Sequence, residues 1–162
     1  DLRSVDPAPL EALLGQGWVP VVSPPATDGQ GNVLNVNADF AAAALAVALK
    51  AAKLVLVTGA PGVLANPADP SSLLSAVSLA ALGELEASGA LRAGMRVKAA
   101  AIRSALQGGV GRVHVVSGAD PDALLRELYT NHGAGTLVTL EPECAPVSEP
   151  SAGTSTVERV AP

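Results

Sequence analysis

Apolar positions in this sequence alternate between two spacings. Stretches with an apolar residue every three or four positions predict helices, and unbroken apolar runs between them predict buried strands. Residues 7 to 17 predict a short helix with Leu10, Leu13 and Leu14 facing inward and Gly17 near its end, followed by an apolar strand from Val19 to Val22. Asp28, Gly29 and Gly31 supply turn chemistry for a hairpin or exposed loop before Val33 and Leu34. Asn37 then caps a helix whose Phe40, Ala44, Val47 and Ala51 recur at the helical period. The run Leu54 to Val57 has no polar alternation, so it reads as a strand buried on both faces of a parallel sheet, ending at Thr58-Gly59-Ala60-Pro61-Gly62. Past a loop from Asn66 to Pro70, Leu79, Leu82 and Leu85 predict a helix closing at Gly89. Met95, Ala99, Ile102 and Leu106 predict a longer one stopping at Gly108-Gly109. A strand from Arg112 to Val116 follows, then a helix with Asp120 at its N-cap and Pro121 at its first position running through Leu124, Leu125 and Leu128, and a last strand from Thr136 to Leu140. Strands alternating with helices predict the α/β class, a three-layer αβα sandwich with a mostly parallel sheet spanning residues 1 to 140. Residues 141 to 162, rich in Pro, Ser and Thr, read as a flexible tail.

Composition narrows the function classes. With 162 residues and 49% apolar content the chain builds one good core. A net charge of −5, scattered Lys and Arg, and only one Trp, one Tyr and one Phe leave neither a basic track nor stacking platforms, which argues against nucleic acid. The single cysteine, Cys144, forms no internal disulfide framework and suits a reducing compartment. No apolar run approaches the roughly 20 residues that cross a bilayer, and the start lacks a secretory pattern, so a cytoplasmic protein without a membrane partner is expected. The chain opens at Asp1 and enters its first periodic segment almost at once, which reads as a sequence joined midway.

Three clusters carry candidate chemistry, each with a structural alternative. In Asn35-Val36-Asn37-Ala38-Asp39, a carboxylate at a helix entry orients catalytic lysines, or Asn37 simply caps the helix and Asp39 complements its dipole. The loop Thr58 to Leu64 sits at the carboxyl end of a buried strand, where glycines let a nucleotide approach the backbone or merely satisfy a turn. In Gly94-Met95-Arg96-Val97-Lys98 a lysine early in a helix neutralises a transferring phosphoryl group, or is solvated like most helical lysines. Elsewhere the chemistry is thin. Gly108-Gly109-Val110-Gly111 follows a helix and precedes a strand, the wrong order for a phosphate-binding fingerprint. His114 and His132 have no Cys or carboxylate at ligand spacing, which argues against a zinc site, and no G-x-S-x-G elbow occurs.

In this order, the segments resemble the C-terminal, ATP-binding half of the amino acid kinase family, most of all its N-acetylglutamate kinase branch. The resemblance runs from about Leu10 to Leu140 and is carried chiefly by Asn35-Val36-Asn37-Ala38-Asp39 and Gly94-Met95-Arg96-Val97-Lys98, with Gly17 to Val22, Leu54 to Leu64 and Arg112 to Val116 in support. It implies that Lys98 stabilises the phosphoryl-transfer transition state, that Asp39 organises the lysines and that Asn35 contacts the acylated amino acid. It places Thr58, Gly59, Ala60, Pro61, Gly62, Val63 and Leu64 beside the ATP, with Ala90, Leu91 and Arg92 near the adenine. The reaction implied is ATP plus N-acetyl-L-glutamate giving ADP and N-acetyl-L-glutamyl 5-phosphate, with Mg²⁺ bridging phosphates, a step of arginine biosynthesis. Direct attack by a substrate carboxylate needs no enzyme nucleophile, in keeping with the missing triad.

The sequence also departs from the family. Gly59 stands where an aspartate usually follows the strand, Ala93 stands for the first glycine of a G-G-M motif, and the family's N-terminal half has no counterpart upstream of Leu10. The chain alone is therefore expected to be inactive, with that half as a partner. Two further readings share the scaffold: a kinase of carrier-bound aminoadipate or glutamate in lysine biosynthesis, and a non-catalytic nucleotide-binding regulatory module. A structural interaction domain is a third, and self-association into a homo-oligomer is left open.

Overall fold

Valines and leucines spaced two apart on facing strands decide which side of this molecule is core. The computed structural model describes residues 4 to 130 and 133 to 142. Its elements run α1 (Ala8–Gly15), β1 (Ala26–Thr27), β2 (Val33–Leu34), α2 (Ala38–Ala48), β3 (Lys53–Thr58), a 3₁₀ turn (Pro70–Ser72), β4 (Ala76–Ser78), α3 (Leu79–Ala87), α4 (Ala93–Gln107), β5 (Arg112–Ser117), α5 (Ala123–Tyr129) and β6 (Thr136–Thr139). The main sheet has the order β3-β5-β6-β4, and β1 and β2 form a separate antiparallel hairpin around the predicted turn. β3 pairs with β5 and β4 with β6 in parallel, whereas β5 and β6 are antiparallel.

β5 is one of the two inner strands, and its side chains point to two different layers. Val113 and Val115 lie beside Leu54 and Leu56 of β3 in a core that α2, α3 and α4 supply with Ala43, Ala46, Leu82, Ala99, Ile102 and Leu106. His114 and Val116 point to the other face, where α5 packs. Three layers result, and the α/β class holds. α4 follows its predicted stripe closely, with Ala99, Ile102 and Leu106 buried, Met95 packed against the core and the helix ending at Gly108.

Several expectations need correction. β3 is not buried on both faces: it is an edge of the sheet, and Val57 on its outer face is 58% exposed. Residues 19 to 22 form no strand, because no strand lies alongside to accept their ladder bonds, and Val21 is 97% exposed. α1 forms but buries none of its residues, so Leu13 and Leu14 face solvent rather than inward. In α2 the buried positions are Ala43 and Ala46, while Phe40 is exposed, because small residues let α2 lie close against α4. α5 starts at Ala123; Asp120 accepts from the Asp122 N–H and pairs with Arg126 instead of capping, and Leu124 and Leu125 stay exposed. β4 was not anticipated, and the antiparallel β5 and β6 pair makes the sheet mixed. The tail expected over 141 to 162 lies outside the described residues from 143 onward, as does Cys144.

Candidate active site

Local rules put a carboxylate at the start of α2 and a lysine in the second turn of α4. Asn37 is extended and its Oδ1 accepts from the Asp39 N–H at 2.9 Å, so the cap fixes the first turn that carries Asp39. Close packing of α2 on α4 then brings the two side chains together across 59 residues of sequence. Lys98 Nζ donates to Asp39 Oδ1 at 2.8 Å and to Oδ2 at 3.0 Å. The two side chains are 17% and 20% exposed, which shields the pair from water in part. Both cap and ion pair exist, so the two readings of Asp39 are compatible.

Lys98 lies at one end of a cleft of ≈ 210 Å³ at the carboxyl end of β3. Thr58, Ala60, Gly62 and Leu64 of the predicted loop line it, as do Ala90, Leu91 and Arg92 from the connection between α3 and α4. Ligands of open α/β sheets collect at this end of the strands. The loop holds its course for a clear reason. A side chain at Gly62 would meet Thr136 Oγ1 at 2.6 Å and Leu73 Cδ1 at 2.7 Å. Thr136 itself accepts from the Val63 N–H at 2.8 Å and donates to the Leu74 carbonyl at 2.6 Å, tying the loop to β6. Gly59 is different: nothing lies within 4 Å of the position a Cβ would take there.

Of the residues singled out by sequence, Gly59, Pro61 and Val63 do not line the cleft, and Val63 is fully buried. Asn35 is exposed in the segment after β2 and does not line it either, and Asp39 is tied to the cleft only through Lys98. Pro67, Gly94 and Met95 do line it. Pro67 carried no sequence signal beyond its place in a loop, and its carbonyl accepts from Arg92 at 2.6 Å.

A second polar constellation lies on the opposite face of the sheet. Glu127 of α5 accepts from His114 Nδ1, the Ala134 N–H and the Gly135 N–H, each at 2.8 Å, with side-chain exposures of 7% for His114 and 5% for Glu127. His114 therefore has a carboxylate partner, 13 residues on rather than at the ligand spacing for which the sequence was read. Burial raises the Glu127 carboxyl, but the bonds from His114 and from the two backbone N–H groups outweigh it and hold the group below the ordinary range. His114 Nε2 is buried without a hydrogen-bond partner. Among the described residues, no group of three or more His, Cys, Asp or Glu side chains is arranged to hold a metal ion, and no helix is long and apolar enough to cross a membrane.

Comparison with known proteins bears on these observations. The model of the amino acid kinase family matches residues 1 to 117. Over 141 residues the chain is 50% identical to an acetylglutamate kinase from Myxococcus xanthus, covering 87% of this chain and 46% of that protein. An acetylglutamate kinase from Archaeoglobus fulgidus is 46% identical over 134 residues, covering 83% and 46%. Among solved structures, N-acetylglutamate synthase from Neisseria gonorrhoeae complexed with coenzyme A and L-arginine superposes with a TM-score of 0.78 at 32% identity, covering 86% of this chain and 32% of that one. The chain thus spans about half the length of the curated relatives it matches.

Proposed function

The chain belongs to the amino acid kinase family, and from that premise we propose that it is the ATP-binding half of an acetylglutamate kinase. The observation that carries this reading is Lys98, held by Asp39, lining a cleft at the carboxyl end of β3. In the proposed reaction the side-chain carboxylate of N-acetyl-L-glutamate attacks the γ-phosphoryl group of ATP, and ADP leaves. Nothing in that step requires an enzyme nucleophile; it requires alignment and compensation of charge on the transferring group. Lys98 supplies the charge, at a site where water is partly excluded and a cation acts more strongly. Asp39 holds Nζ with both oxygens, fixing where that charge sits before a nucleotide arrives. Thr58, Ala60, Gly62 and Leu64 border the nucleotide, Ala90, Leu91 and Arg92 flank the base, and Asn35 belongs to the part of the site that the relatives' other half completes.

Mg²⁺ enters with the nucleotide and neutralises charge between its phosphates. Reading the chain as a nucleotide-binding regulatory module is favoured by Gly59, which puts no carboxylate beside the cleft. A chimera separates the two readings. This chain, joined to the complementary half of the Myxococcus xanthus relative, is expected to release ADP in the presence of N-acetyl-L-glutamate, ATP and Mg²⁺, and Lys98→Ala is expected to lower kcat about 100- to 1,000-fold. Nucleotide binding without turnover in a folded chimera would select the regulatory module.

A further inference from the structure

The nucleotide cleft is lined from distant segments, by Leu64 and Pro67 from one and by Ala90, Leu91 and Arg92 from another. One side-chain bond joins them: Arg92 Nη2 donates to the Pro67 carbonyl at 2.6 Å. The segment that carries Pro67, one lip of the cleft, is internally braced. Ala65 N–H donates to the Ser72 carbonyl at 2.9 Å, Asn66 N–H to Ser72 Oγ at 3.0 Å, and Ser72 Oγ to the carbonyls of Asn66 at 2.9 Å and Asp69 at 2.7 Å. These bonds hold residues 65 to 72 together, and the Arg92 bond ties them to the start of α4. Arg92 is the residue immediately before α4, so Lys98 lies six residues along the helix, about 9 Å away at 1.5 Å per residue. That is comparable with the span from a nucleotide's terminal phosphate to its sugar. Leu64, Pro67, Ala90 and Leu91 give this end of the cleft an apolar lining suited to a flat base.

We propose that Arg92 is a positioning residue that latches the base end of the cleft, holding the Pro67 lip against the adenosine part of a bound adenine nucleotide. The proposal rests on the reading of this cleft as an ATP site and deepens it. A latch acts on the nucleoside, so its effect is independent of how many phosphates follow; a direct phosphate contact would act more strongly on ADP than on AMP.

Calorimetric titration of the chain with AMP and with ADP and Mg²⁺ tests this, using the wild type, Arg92→Ala and Arg92→Lys. Arg92→Ala is expected to weaken AMP and ADP by the same factor, about tenfold where the freed Pro67 lip must be re-ordered on binding, in a chain that stays folded. Arg92→Lys, which keeps one donor within reach, is expected to recover most of the loss. Equal binding by wild type and Arg92→Ala overturns the latch and leaves the nucleotide site standing, and so does a loss confined to ADP. A folded wild-type chain that binds neither nucleotide removes the nucleotide reading itself, and the latch with it.

Discussion

Lys98 and Asp39 are each unremarkable where the sequence puts them, one in a helix and one behind a cap. Their meeting follows from packing α2 on α4, which no local pattern encodes. Because both side chains are mostly removed from water, deleting one leaves the other short of its partner. Lys98→Ala and Asp39→Ala are each expected to cost about 1 to 2 kcal/mol in urea unfolding, with the double variant less unstable than the sum by about 1 kcal/mol. Strict additivity would mean that the pair is not formed in solution. Glu127 was illegible for a similar reason: it follows His114 by 13 residues, with the turn into α5 between them, so neither helical nor strand spacing pairs the two. The depressed carboxyl of Glu127 has a signed consequence. A group whose folded pKa lies below its unfolded one contributes stability that is complete above the unfolded value of about 4.3 and is lost as pH falls through the folded value. Unfolding curves collected downward from pH 6 should show that acid-side loss, and Glu127→Gln should flatten it while lowering stability at neutral pH by about 1 to 3 kcal/mol. An unchanged acid slope in the variant would assign the loss to other carboxylates.

At the scale of elements, legibility tracked how much of each element's burial is written in its own period. α4 was readable because its stripe of Met95, Ala99, Ile102 and Leu106 is the face that packs. β4 was not, since three residues with only Val77 buried carry no usable alternation. The run Val19 to Val22 was overread because apolar, β-branched residues make a strand only where another strand accepts their bonds. In the loop after β3 the glycines looked alike in sequence, yet the structure gives them different duties. Gly62 sits where its backbone nearly touches Thr136 and Leu73, the contact that seats the loop on β6. Gly62→Ala is therefore expected to cost about 1 to 3 kcal/mol, because the Thr136 bonds to Val63 and Leu74 must shift. Gly59→Ala, with open space around its Cβ, is expected to change stability by less than about 0.5 kcal/mol. Thermal unfolding of the two variants side by side decides it, and equal losses would show that the loop does not lean on β6.

For the whole molecule the informative feature is what stays uncovered. Leu13, Leu14, Trp18, Val19, Val21, Val22, Val33 and Leu34 are all exposed along the segment before α2, and Val57 is exposed on the free outer face of β3. Large apolar side chains exposed in such density along one segment mark an interaction surface. The segment also contains the residue proposed to meet the acyl amino acid, Asn35, at a distance from the cleft lining. Both facts have one explanation if the half of the relatives that this chain does not span covers this side and completes the substrate site. Trp18 is the chain's single tryptophan and is 65% exposed, so it reports on that side without labelling. Its emission in the chain alone should be that of a hydrated indole and readily quenched by iodide. In the chimera with the Myxococcus xanthus half it should shift to shorter wavelength and lose most of its accessibility to quencher. A spectrum equally red in a folded, ADP-binding chimera would mean that the exposed side is not where the halves meet. Covering it requires desolvating the valines around Trp18, so the same chimera should also lose the dye binding that an open apolar surface gives the isolated chain.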